Sequence, residues 1–394
     1  MNIVNDKFMV KEVINAIGTV TALGGNVLSD EVLTSIREVS GIFVDMEQLA
    51  EEAGNYIARK VGAESAYITN GASSGIVLSV AACLIRAKPD LRYKLPKLEG
   101  GKKYVLTFKN QVTEFKYLIN ISGAKIKEIG DRNGVSLVNF ENTVRKFVDK
   151  TAAIVYFALD PLPNNLAIEK VVEIAHSFGI PVIVDAAAEL PPKDNLRKYL
   201  RAGADVVIFS GGKAIGSFND TGIILGTREI IDIVKGIGPY QEEISDSERR
   251  VFLGRVMKVS KEEIVATTVA FDKFLNMDEE AFMDTMYQKC EMMLEYLGKS
   301  NSLSARVINP PWYFPRPVTI PRVEIEFKNG IDADKIANKL KNNSPPIYVL
   351  SDKGKLYLNP QCLKEGEEKI ISEAILRLTE EELRGNENYK RMRG

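Results

Sequence analysis

Short apolar runs separated by amphipathic segments recur from Tyr67 to Leu225. AYIT, KYVLTF, AAIVYFA, PVIVDA and DVVIFS are a few residues long, rich in Val, Ile and aromatics, and lack polar alternation. Such runs predict parallel strands buried on both faces. Several of the segments around them carry apolar residues at helical spacing. In SDEVLTSIREVS, Val32, Leu33, Ile36 and Val39 share one face, behind a Ser29 N-cap with Asp30 and Glu31 in the first turn. In DMEQLAEEAGNYIARKV, Leu49, Ala53, Tyr56 and Ile57 form the face, and Gly62 is placed to close the helix. VTEFKYLINISG, the stretch from Asn139 to Asp149 and AIEKVVEIAHSFG read as further helices. From Ser73 the sequence is apolar on every side, which predicts a buried helix. This alternation implies an α/β fold with a mostly parallel sheet and helices on both faces.

After Gly226 the pattern changes. PYQEEISDSERRVFLGRVMKV is polar and reads as irregular, and the stretch from Lys261 to Gly298 reads as long and helical. Beyond it, RVEIEF, DADKIANKLKN, IYVLSDKGKLYLNP and GEEKIISEAILRLTEEELRG predict a smaller α+β domain. The expected organisation is an N-terminal arm over 1–28, a large α/β domain over 29–245, and a linker helix with a small C-terminal domain over 246–394. Trp312, in NPPWYFPRP, is expected in a lid or linker, and the tail from Asn386 is expected to fray.

Two strand ends carry candidate chemistry. PVIVDA ends in Asp185, and ADVVIFSGGK ends in a glycine turn and Lys213. In open α/β sheets ligands bind beyond the carboxyl ends of the strands. A lysine and an acid on neighbouring strand ends suit pyridoxal 5'-phosphate (PLP), which needs an amine for a Schiff base and an acid at its ring nitrogen. SGGK is not a Walker A loop, because Val207 stands where that loop needs glycine. NGASSG opens a helix, a place for an anion, with Ser73 and Ser74 adding hydroxyl donors.

Composition adds mainly exclusions. A chain of 394 residues, 45% hydrophobic and 27% charged, carries a sizeable core, and a net charge of −1 gives no global field toward nucleic acid or anionic membrane. The three cysteines, Cys83, Cys290 and Cys362, are too far apart in sequence for a metal pair, which fits a reducing, cytoplasmic setting. The first residues show no signal peptide, and no apolar run reaches membrane-spanning length. The single histidine, His176, lies on a helix flank away from the strand-end face, so a solvated or boundary histidine is expected and no metal site is.

The ordered segments GGNVLSDEV, FVDMEQLAEEAG, AYITNGASSG, IAHSFGIPVIVDAAAELPP, GADVVIFSGGKAIG, GRVMKVSKEEIV and LYLNPQCLKEGEE resemble the fold-type-I PLP enzymes of the selenocysteine synthase (L-seryl-tRNA(Sec) selenium transferase) superfamily. Within it the match is closer to the D-glucosaminate-6-phosphate ammonia-lyase branch. The resemblance covers about Ile14 to Ile370 and implies an aspartate aminotransferase-like fold. It implies that Lys213 bonds the cofactor and Asp185 faces the pyridine nitrogen. Gly71, Ala72, Ser73 and Ser74 match the phosphate-binding turn, Ser210, Thr221 and Gly222 flank the cofactor, and Gln111 stands where a histidine often stacks on the ring. Arg255, Lys258 and Arg322 are candidates for the substrate. Asp220 and Gln361 depart from the family pattern, as does Gln111. The implied activity is a carbon–nitrogen lyase acting on a β-hydroxy amino acid in a homodimer or higher homo-oligomer. The alternatives are a transferase and a non-catalytic binding protein. Near-zero net charge argues against a tRNA substrate.

Overall fold

The computed structural model describes residues 3–111, 113–159, 161–245, 248–311 and 314–393. They form two compact units, one from Asn26 to Met277 and one combining Met1–Gly25 with Asp278–Gly394.

The larger unit is built on a seven-stranded sheet. Its strands are β1 (Ser65–Thr69), β2 (Tyr104–Phe108), β3 (Lys125–Ile129), β4 (Thr151–Phe157), β5 (Val182–Asp185), β6 (Val206–Ser210) and β7 (Gly222–Gly226). The lateral order is β1-β7-β6-β5-β4-β2-β3. From β6 to β3 the strands run parallel, as the apolar runs predict, whereas β7 is antiparallel to both of its neighbours. The reason lies in the connection: a parallel neighbour needs a crossover, and only a turn joins β6 to β7. Every residue of β4 and β5 is buried. At about 1.5–3 kcal/mol per large aliphatic side chain, these strands are the centre of the core.

Helices α1 (Asp30–Ser40), α2 (Met46–Val61) and α3 (Gly71–Ile85) follow the expected bounds closely. Asp45 caps α2 by accepting from Gln48 N at 3.0 Å, and α2 ends at Gly62 with φ of 76°. Helix α3 is buried along almost its whole length, in keeping with its unbroken apolar composition. The helix expected over VTEFKYLINISG is instead a 3-10 turn, Glu114–Tyr117, followed by the single turn Leu118–Ile121. Aromatic and β-branched residues, together with Asn120, weaken helix propensity there. The polar stretch read as irregular contains an antiparallel hairpin, Glu242–Ser245 with Glu248–Val251.

The long helical stretch is two helices. The first, α4 (Lys261–Asn276), starts in a Ser260–Glu263 capping box. It packs on α1 and α2, and Asp272 binds Lys60 at 3.1 Å and the Tyr56 hydroxyl at 2.9 Å. These contacts carry the larger unit past residue 245 to Met277. The second helix, Glu279–Leu297, has its own cap in Asp278 and belongs to the smaller unit.

The smaller unit has a four-stranded antiparallel sheet in the order Leu303–Ile308, Arg322–Phe327, Lys355–Leu358, Leu350–Asp352. Ile14–Asn15 pairs in parallel with Ile347–Tyr348. The tail expected to fray continues the helix Glu367–Arg393. Trp312 lies outside the described residues; Phe314 is buried and packs edge-on against Tyr357 at 4.4 Å. His176 is exposed and shares a 2.8 Å hydrogen bond with Asp205. Among the described residues no helix is long and apolar enough to cross a membrane.

Candidate active site

β5 and β6 pair with Asp185 opposite Ile208. The carboxylate ending β5 and the turn following β6 therefore lie side by side at the carboxyl end of the sheet. Lys213 is half-buried on that turn. Burial is the dominant influence on Asp185, which is 9% exposed, and it raises the carboxyl pKa above the ordinary value. The Ala187 N–H, at 3.0 Å, and the Lys213 ammonium pull in the opposite direction.

The lysine turn is closed by its own backbone. Gly211 N donates to Thr221 O at 2.8 Å, Ser217 N to Gly211 O at 2.8 Å, and Gly216 N to Lys213 O at 3.0 Å. A side chain at Gly211 would lie 2.2 Å from Thr221 Oγ1. The Thr221 hydroxyl donates to Phe218 O at 2.8 Å, and Ser217, buried, shares a 2.8 Å hydrogen bond with Thr267. Asn26, which the motif reading did not single out, donates through Nδ2 to Gly212 O at 3.0 Å and Ser217 O at 2.8 Å. The only cue to it in the sequence is the Gly-Gly-Asn punctuation before the first helix.

Helix α3 opens directly after β1 at Gly71, whose φ of 73° favours glycine. Its N-cap residue, Asn70, makes no side-chain bond to the first-turn N–H groups. Gly222 packs against this opening so closely that a Cβ would lie 2.5 Å from Gly71 C and 2.6 Å from Ala72 N. An anion-seeking helix start is thereby held beside the first residue of β7. Ser210 pairs with Gly222 across β6 and β7, at the same end of the sheet. The groups present fit PLP: an amine at Lys213, a buried acid at Asp185, and N–H groups from Gly71 to Ser74 for a phosphate. Gly222→Ala is expected to cost about 1–3 kcal/mol, because backbone atoms cannot rotate away from the new methyl. Thermal melting with and without PLP should show lower stability and weaker PLP binding together, and a wild-type melting curve would refute the close packing.

Other sequence candidates have defined places. Gln111 is 1% exposed, accepts from Phe157 N at 2.8 Å and donates to Asn165 at 3.0 Å. Its amide thus ties the ends of β2 and β4. Asp220 is exposed, and the carboxyl of Glu263, raised by burial, is raised further by its charge and hydrogen bond. Arg255 donates to Pro239 O at 3.2 Å, and Lys258 is exposed. In the smaller unit, Arg322 is 2% exposed and donates to the carbonyls of Ile320, Pro321, Pro315 and Pro317. Burial pushes its pKa down to about 10. The Oε1 of Gln361 is buried without a hydrogen-bond partner among the described residues.

Residues 13–281 match the L-seryl-tRNA selenium transferase family. The chain belongs to this family. It is 26% identical to the D-glucosaminate-6-phosphate ammonia lyase of Salmonella typhimurium, over 94% of this chain and 96% of the relative. It is 27% identical to a 5'-C-glycyluridine monooxygenase-decarboxylase from a Streptomyces species, over 91% and 88%. The solved structure of a D-glucosaminate-6-phosphate ammonia-lyase superposes with a TM-score of 0.80 at 25% identity, covering 96% of this chain and 98% of that one. A serine palmitoyltransferase from S. paucimobilis, solved with bound PLP–myriocin, shares the fold at a TM-score of 0.56 and 10% identity, over 94% and 88%. The family member described here is a fold-type-I enzyme whose cofactor is pyridoxal 5'-phosphate.

Proposed function

We propose that this enzyme is a carbon–nitrogen lyase. It removes ammonia, with dehydration, from a β-hydroxy amino acid and yields a 2-keto acid. The substrate is sugar-derived, such as D-glucosaminate or its 6-phosphate, and the working form is a homodimer or higher homo-oligomer. The observation that carries this reading is the placement of Lys213 and Asp185 on adjacent strand ends in a chain similar to an ammonia lyase along nearly its whole length.

Bound PLP supplies the electron sink that makes the proton on the substrate Cα removable. The remaining roles fall to the chain. The N–H groups of Gly71 to Ser74 would hold the phosphate. Asp185, whose carboxyl burial makes harder to ionise, would face the ring nitrogen and favour its protonated form. The Lys213 amine, on its closed turn, takes the Cα proton and returns it later. Expulsion of the β-hydroxyl with that proton gives water, and hydrolysis of the carbon–nitrogen bond consumes water and releases ammonia. Arg255 and Lys258, in this reading, meet the anionic end of the substrate.

The test is a panel of β-hydroxy amino acids, including D-glucosaminate with and without its 6-phosphate, assayed for 2-keto acid and ammonia. Equimolar keto acid and ammonia are expected, fastest on the sugar acids. Spectral binding of the panel without keto acid would sink the lyase reading. Oxygen uptake with carbon dioxide release would instead align the enzyme with its monooxygenase-decarboxylase relative.

A further inference from the structure

We infer that Asn26 is a positioning residue for Lys213, an inference that rests on Lys213 being the cofactor lysine. The carboxamide spans the lysine turn. One nitrogen donates to Gly212 O, immediately before the lysine, at 3.0 Å, and to Ser217 O, at the far side of the turn, at 2.8 Å. The turn's own bonds join Gly211 to Thr221, Gly211 to Ser217, Lys213 to Gly216 and Phe218 to Thr221. None of these bonds engages Gly212 O or Ser217 O, and the Ser217 hydroxyl is held separately by Thr267. Asn26 engages both carbonyls, from a position 186 residues away from Gly212 in sequence.

The other end of the carboxamide faces the turn as well. Asn26 Oδ1 is buried with no hydrogen-bond partner among the described residues, 3.9 Å from where a Cβ on Gly216 would stand. No other side-chain type has both the length and the neutral donor–acceptor pair of Asn. Aspartate has the same shape but cannot donate, and it would set a negative oxygen against two carbonyls. A lysine that must reach both a cofactor and a substrate carbon is sensitive to its anchor: a displacement of about 1 Å costs about a hundredfold in rate.

The experiment compares wild type with Asn26→Ala and Asn26→Asp, each stripped of cofactor and then mixed with PLP well below its melting temperature. The rate of appearance of the visible band is followed, then the pH midpoint of that band. Amide hydrogen exchange of residues 211–221 is measured on the same proteins. Both variants are expected to form the band about tenfold more slowly, within the range of such misplacements. In Asn26→Asp the band midpoint should move up by about one pH unit, because a nearby carboxylate favours the protonated nitrogen. Exchange should quicken at Gly216 and Ser217 but not within β5 or β6. Wild-type band kinetics, midpoint and exchange in both variants, whatever the change in melting temperature, would overturn the inference. A normal wild-type band without lyase activity leaves it standing and refutes only the lyase reading.

Discussion

Lys213→Ala is expected to abolish the visible band of the PLP-loaded protein and to lower ammonia release by at least about a thousandfold. Proton transfer by a positioned side chain contributes 10²–10⁴ in rate by itself, and the loss of the cofactor-bonding amine adds to that. The fold should survive. Alanine keeps the backbone bonds that close the turn, Gly211 to Thr221 and Ser217 to Gly211, and keeps Asn26 on Gly212 and Ser217. Lys213 is half-buried at the sheet's rim and its ammonium favours the ionised form of the buried Asp185, so stability should fall by about 0.5–3 kcal/mol, the common range for a point substitution, without loss of the fold. Absorption spectra and melting curves of the two proteins, read together, decide the matter. A band of wild-type height in the variant would mean that another amine holds the cofactor. Loss of the band together with collapse of the fold would mean that the lysine is structural.

The two strand ends were legible because buried parallel strands leave an unbroken apolar run, and each run stops at a polar residue: Asp185 in one case, Ser210 and the glycine turn in the other. Adjacency of the two strands followed from chain order and the structure has it, with Asp185 opposite Ile208. Strand direction was less accessible. GIILG is buried throughout, and a run without alternation has no signal for direction. The short link from Gly211 to Thr221 held the answer, since it is too short for a crossover. Side-chain partners were the least legible. Nothing in the spacing of Asn26 connects it to Ser217 O, because that hydrogen bond spans 191 residues. Gln111 was placed by resemblance to a stacking position, yet where its amide goes depends on Phe157 and Asn165, which other strand ends supply. Arg322 illustrates the same limit: its guanidinium is occupied by proline-loop carbonyls that no charge pattern signals.

Asp185→Asn should separate function from stability. Burial raises the Asp185 carboxyl above its unfolded value, so the native apoprotein binds more protons than the unfolded chain between those two values. Stability then falls as pH rises through the window, because the slope follows the difference in bound protons. The carboxyl's contribution is most favourable below the unfolded pKa, near 3.9, and is lost as pH rises through the folded pKa. Above the unfolded value the buried carboxyl is a cost to the apoprotein, and asparagine removes it. The variant without cofactor is therefore expected to melt no lower than wild type at neutral pH, and its advantage should shrink on acidification. Adding PLP reverses the order. In the proposed site wild type would gain a cation opposite its carboxylate, whereas the variant would offer a neutral amide, so PLP should stabilise wild type more. Activity in the variant should drop by about 10²–10³, the loss typical of removing one preorganised electrostatic partner. Melting curves with and without PLP across acid to neutral pH test the linkage, and keto acid release tests the chemistry. Equal stabilisation of both proteins by PLP, or wild-type turnover in the variant, would show that Asp185 does not face the ring nitrogen, and the assignment of the site would have to move to another acid.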